Sequence, residues 1–248
     1  MFSSGANSRR WFSVVAVVVL VAVGWLLQPV ERLAGALAAR QEFRHDQMMA
    51  SAGHGGALAL LGGMRSMVAS GWWLRANLAW EKRDLAATTA LIDLTVVADE
   101  RPLYFWLNGA RILANDMPEW RMAGPVPRAY RSVVNEQQAQ VALRFLERGL
   151  RWHGPRAELY IEMANIHLRR RSDVEEAARY YRLAAEQPDA PYYAARIHAE
   201  LLRELRRPTE ALAWLRHVLN TLPEGDELAR RDVVIERIQL LEQEAAAL

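Results

Sequence analysis

The 248-residue chain contains no cysteine, which excludes disulfides, thiolate metal sites and cysteine nucleophiles. Lysine is almost as scarce: Lys82 is the sole one among 31 basic residues, set against 29 acidic ones. So strong an arginine bias fits GC-rich coding better than a phosphate-binding design, although individual arginines remain suited to bidentate contacts. The net charge of +2 is too small to draw a polyanion by itself, so nucleic acid is not an expected partner. Six histidines (His45, His54, His153, His167, His198 and His217) show no HExxH spacing. His45 with Asp46, Met48 and Met49 comes nearest to a soft-metal set, and a polar helix accounts for them better. The glycine-rich stretch SAGHGGALALLGG at 51–63 lacks the lysine and hydroxyl ending of a phosphate loop and reads as a connector. No Ser-His-Asp order, glycine elbow or carboxylate pair stands out. The expectation is no catalytic residue, no metal, no cofactor and no small-molecule substrate.

What the chain does have begins with WFSVVAVVVLVAVGWLL at 11–27, 17 residues without a charge. At ~1.5 Å per residue this reaches roughly 25 Å, the short end of a bilayer span. Trp11 and Trp25 lie near its ends, where indole favours the interface, and Arg9 and Arg10 precede it. The pattern predicts an N-terminal signal-anchor, with cleavage after the small residues at 36–38 and a buried core helix as competing readings. Arg9 and Arg10 set the N-terminus inside. Arg32, Arg40 and Arg44 blunt that bias. The expected location is the inner (cytoplasmic) membrane, single-pass, with the body extracytoplasmic.

The charged stretch after the anchor, 30–49, reads as a solvated helical stalk. From Met64 to Trp80, apolar residues at Met64, Met67, Val68, Trp72, Leu78 and Ala79 follow helical spacing. Asp84 breaks this helix, and a second follows from Ala86 to Ala98. A further helix starts at Leu103. Its return helix, from about Glu136 to Trp152, is delayed by a long insertion at 115–134 holding Pro118, Pro125 and Pro127. Long loops are often functional, and packing of Trp120 and Tyr130 over a groove end is the plainer account.

The C-terminal third repeats itself. AELYIEMANIHLRRRSDVEEAARYYRLAAEQPDA starts at Ala157 and YYAARIHAELLRELRRPTEALAWLRHVLNTLPEG at Tyr192. Each reads as helix, polar break, helix and proline, with a period near 34 residues. The later copy sets Ala199, Ala211, Leu215, Val218 and Pro223 in register. The earlier sets Tyr160, Ala164, Ala177, Tyr181, Ala184 and Pro188, with one extra residue in the turn at 169–173. Small residues let antiparallel helices approach closely, and bulky ones fill the gap to the next pair. Asp173 and Thr209 are the expected N-caps. These two copies resemble the tetratricopeptide repeat family, and Phe105, Gly109, Ala142 and Leu146 extend the likeness loosely upstream. The block LLGGMRSMVASGWWLRA is similar to a stretch of membrane-anchored bacterial repeat proteins.

The resemblance implies an all-α protein: an N-terminal transmembrane helix, then a right-handed α-solenoid. It divides into an anchor (1–28), stalk and connector (29–63), degenerate helix pairs with a long loop (64–155), two repeats (156–226) and a cap helix (227–248). By position in the family, first-of-pair helices line a groove. That places Trp73, Asn77 and Trp80 there, with Glu158, Ile161, Asn165 and Arg169, then Tyr193, Arg196, Glu200 and Arg203. Core packing of the tryptophans and a merely solvated face for the charges are the alternatives. The function implied is a membrane-tethered adaptor or assembly factor holding a protein or peptide partner. A structural subunit of a larger membrane complex is the other reading, and an enzyme using the 115–134 loop as a lid is a third.

Overall fold

A computed structural model describes residues 64–246. The expected anchor at 11–27 and the stalk and connector at 29–63 lie outside the described residues. Among the described residues there is no strand, and no helix is long and apolar enough to cross a membrane. Helix α1 spans Arg65–Glu81 and α2 Leu85–Ala98. Helix α3, Leu103–Arg111, runs through a π-helical turn at Ile112–Asp116 into α4, Met117–Arg121. Its return helix α5 is Arg128–His153. Helix α6, Ala157–Ile166, ends in a second π turn at His167–Arg171 before α7, Val174–Ala185. Then come α8, Tyr192–Glu204, α9, Pro208–Thr221, a 3-10 turn at Glu227–Ala229, and α10, Arg231–Ala246. Helices pack mainly on their sequence neighbours, and α6 also touches α3.

Four turns join paired helices, and each carries one residue with positive φ: Arg83 (54°), Gly124 (104°), Ser172 (53°) and Arg206 (61°). Three of these are not glycine, so the tertiary pairing supports a conformation that L-residues adopt uncommonly. Asp84 and Asp173 cap the following helices, accepting from the Ala87 and Glu176 backbone N–H groups at 3.0 and 3.1 Å. Thr209 does not cap. Pro208 already occupies the first turn of α9, and Arg207 stands at the cap without a side-chain bond.

The small and bulky pattern is buried as its spacing requires. Ala164, Ala177, Ala184 and Ala211 are fully enclosed, and Tyr181, Ala199, Leu215 and Val218 nearly so. Tyr160 is half-buried. Upstream, Gly109 lets α3, α2 and α5 meet: a Cβ there would lie 2.8 Å from Ile92 and 3.0 Å from Phe145. On α1 the expected stripe is corrected. Ala69, Trp72, Ala76 and Ala79 are buried, whereas Met67 and Leu78 are exposed, because the helix turns its alanine-rich side inward to fit closely on α2.

The insertion at 115–134 is also corrected. The helix does not stop at Ala114; only 122–127 is non-helical, and the return helix starts at Arg128. Pro118 lacks an N–H, and its ring would crowd the carbonyl four residues back. The π turn just before it widens the spiral, and Met117 donates to the Ile112 carbonyl instead. The extra residue of the next repeat is absorbed in the same way, by the π turn at His167–Arg171. The last helix is likewise interrupted: Arg230, at φ 46°, separates the 3-10 turn from α10. Arg231 then donates to the Leu219 and Leu222 carbonyls at 2.8 and 2.6 Å, satisfying the open end of α9. Val234, Ile238 and Leu241 seat α10 in the same buried cluster as α8 and α9.

A polar knot joins α1 and α2 to α3. The Asp99 carboxylate is buried and accepts from Arg101 at 2.7 and 3.0 Å and from the Ser66 hydroxyl at 2.7 Å. Arg65 donates to the Ala98 carbonyl and pairs with Glu100, and the Trp106 Nε1–H donates to the Glu100 carbonyl. The Arg101 hydrogen bond, helped by Ser66, outweighs burial and holds the Asp99 carboxyl down at about 2. A depressed folded pKa adds stability above the ordinary carboxylate range and loses it as pH falls through about 2. Asp99→Asn is therefore expected to cost about 2 kcal/mol at pH 7. The difference from the parent should shrink towards pH 2, measured by urea unfolding at both values. An equal difference at the two pH values would show that the charge of Asp99 contributes nothing.

Candidate partner-binding surface

Residues Trp73, Asn77 and Trp80 recur four and three apart, so α1 presents them on one side. Trp73 is half-buried, 5.6 Å from the Tyr104 ring and 5.4 Å from Phe105. Trp80 is 39% exposed; its Nε1–H donates to Asp116 at 2.7 Å, and its ring lies 6.3 Å from Trp120. Asn77 is half-buried. Tyr104, on α3 beside Trp73, is 56% exposed. The helix read in the sequence as a loop therefore supplies Asp116 and Trp120, which fix the orientation of Trp80.

The second set is more varied. Glu158 lies at the start of α6, 4.0 Å from Arg156, with its Oε2 buried and without a hydrogen bond. Ile161 is 8% exposed, so its groove assignment is corrected: it joins the buried cluster with Ala164 and Tyr181. Asn165 accepts from the Tyr181 hydroxyl at 2.8 Å. Arg169 is exposed in the second π turn. Its neighbours Arg170 and Arg171 are both paired within the chain. Arg170 donates to the Asn115 side chain and backbone carbonyl, each at 3.2 Å, and pairs with Glu119 at 2.9 Å. Arg171 pairs with Glu136 at 2.9 Å. One π turn thus grips the other. Arg111 on α3 and the buried Glu162 on α6 add a further bridge at 2.9 Å.

In the third set, Tyr193 is 43% exposed. Arg196 donates to the Ala229 carbonyl at 3.1 Å, and burial lowers its guanidinium pKa. Glu200 pairs with Arg203 and Arg237, each at 2.6 Å, and the Arg203 bond holds its carboxyl below the usual range. Arg203 also reaches Glu244 at 3.4 Å. Glu200 and Arg203 are thus brought together and tied to α10, and Arg196 to the 3-10 turn. Of the residues named from the sequence, Trp80, Arg169, Tyr193 and Arg203 are the exposed ones.

A cleft of about 900 Å³ lies between α7 and α9, with Ala178, His198, Leu202 and Trp214 among its lining. His198 Nδ1 donates to the Ala178 carbonyl at 2.8 Å, and its ring meets Trp214 edge-on. Burial pushes the imidazole pKa down, which keeps it neutral. The cleft's charged rim is largely paired within the chain, through Arg179 with Glu176, Arg182 with Glu186, and Arg207 with Glu175 and Glu210. Among the described residues, no three histidine or acidic side chains converge to hold a metal ion.

Sequence reasoning missed Tyr104, Asp116, Arg111 and Glu162. Tyr104 carries a local signal, an aromatic opening a first-of-pair helix as Tyr160 and Tyr193 nearly do. The Arg111–Glu162 bridge spans 51 residues and has no local signal at all. No protein-family model and no curated protein matches this chain.

Proposed function

We propose that the protein is a membrane-tethered adaptor or assembly factor without catalytic activity of its own. Its body is a right-handed α-solenoid of tetratricopeptide-like helix pairs, held extracytoplasmically by the segment at 11–27. The first-of-pair helices α1, α3, α6 and α8 dock a protein or peptide. The observation that carries this reading is the accessible aromatic set on α1 and α3, Trp80 beside Trp120 and Tyr104 beside Trp73. Aromatic side chains fixed by a rigid scaffold supply contact area at little ordering cost, and tryptophan and tyrosine dominate binding hot spots.

The test is capture by the full-length protein in mild detergent, with partners identified by mass spectrometry. The double variant Trp80→Ala and Tyr104→Ala is expected to lose at least about tenfold of the captured partner, the equivalent of about 1.4 kcal/mol. Its helicity should match the parent. Undiminished capture would reject the aromatic set as the docking surface. Capture that depends on 11–27 and ignores Trp80 would favour the structural-subunit reading.

A further inference from the structure

Among the described residues, helix α1 carries a second, unpartnered face. Met67, Leu74 and Leu78 are 61%, 63% and 50% exposed, and they recur seven and four apart. Between Met67 and Leu74 the helix carries two small exposed residues, Ser70 and Gly71. A Cβ added to Gly71 would meet nothing within 4 Å among the described residues. This largely apolar stripe lies opposite Ala69, Trp72, Ala76 and Ala79, the side buried in the body. It is about 17 Å long, at ~1.5 Å per residue from Met67 to Leu78. On α8 the comparable face is covered by the helix that precedes it. Helix α7 covers α8, where Ala194 and Leu201 share a buried cluster with Ala178 and Tyr181. At the other end α10 closes the body, and the exposed apolar residues on it, Ile235 and Leu240, stand among charged neighbours. A row of three large apolar side chains left open is unusual for an end face, since terminal elements of stacked architectures carry polar outer sides.

We infer that this face is covered by the chain's own residues 30–49. The chain enters α1 at Met64, directly at the start of the stripe. Within 30–49, Val30, Leu33 and Leu37 recur at helical spacing, with Ala34 and Ala38 alongside. Glu31 and Arg32, off the line of Val30, Leu33 and Leu37, supply the polar side that a covering segment needs. Fourteen residues, 50–63, separate the two, and they reach about 45 Å when extended. That exceeds the roughly 25 Å length of α1, so the segment can return along the whole helix. Covalent continuity also gives this occupant a high effective concentration that a second copy or another protein lacks. The body's first pair is then completed by what the sequence alone reads as a stalk.

The absence of native cysteine makes the test direct. In the full-length protein in detergent, Leu74→Cys is expected to react with a maleimide at least tenfold more slowly than Leu228→Cys, a site 78% exposed. Adding Val30→Ser, Leu33→Ser and Leu37→Ser should raise labelling of L74C to the rate of L228C, with helicity and the L228C rate unchanged. Leu78→Cys should follow the same pattern. Rapid labelling of L74C in the otherwise unchanged chain overturns the inference. So does slow labelling that survives the triple serine change, which points to a second copy, or protection found only in vesicles, which points to the bilayer. The inference rests on the stacked reading of the body, but partner capture through Trp80 is measured separately, so either can fail alone.

Discussion

Replacing Trp106 with alanine is expected to cost about 4 kcal/mol, the largest single loss in the body. The ring is 2% exposed and stands 4.9 Å from Phe145, joining α3 to α5. Its Nε1–H donates to the Glu100 carbonyl at 2.9 Å, within the polar knot that closes the first pair. Gly149 lies so near that a Cβ there would come within 3.2 Å of the indole. Alanine would leave a void bounded by two helices that are themselves fixed by neighbours, and relaxation would be partial. It would also leave the Glu100 carbonyl with one bond fewer, that to His153 Nε2 at 3.1 Å remaining. Chemical unfolding of the full chain in detergent should show the loss, and the melting midpoint should fall by about 10 °C. A loss below about 1 kcal/mol would place Trp106 outside a packed core.

The second prediction concerns the opposite error, overfilling. Ala211→Trp is expected to destabilise by about 3 kcal/mol. Ala211 is fully buried in the first turn of α9, in one cluster with Ala195, Ala199 and Leu202 of α8. An indole there must push the pair apart, and α10 would lose its seat on the same cluster. Ala211→Gly separates this cause from helix propensity, because it should cost only about 1 kcal/mol. If the tryptophan variant unfolds at the parent's midpoint, Ala211 is not at a helix contact.

Ala211 lies on a position that the sequence exposes through spacing, whereas Trp106 was not named from it. In the two C-terminal copies, Ala164, Ala177, Ala184, Ala199 and Ala211 could be named before any coordinates, because close helix approach demands small residues at regular intervals. Asp173 was legible for a similar reason, since a carboxylate before a helix meets unsatisfied N–H groups; Asp84 was read only as a helix break, and its capping bond to Ala87 was not foreseen. The reading failed where a local rule met a tertiary solution. Pro118 normally stops a helix, yet a wider turn relieves its clash, and Arg170 reaches back from the next pair to bond the Asn115 carbonyl. On α1, residue type misled: Met67 and Leu78 are apolar but exposed, while alanines face the core. The candidate surface was only partly legible. Trp80 and Tyr193 could be placed by register, whereas the links of Glu200, Arg203 and Arg196 to the terminal segment depend on residues 33–41 positions away.

The order in which the helices touch has a consequence for how the protein is made. Each helix finds most of its contacts in the one just synthesised or the one about to follow. Loop-closure costs are then small at every step, and low contact order favours rapid folding. The chain can acquire structure vectorially, pair by pair, as it leaves a ribosome or a translocation channel, without waiting for its far end. What α10 adds is closure: until it arrives, α9 keeps open carbonyls and an apolar flank, so a chain stalled short of Arg231 presents a sticky terminus to quality control.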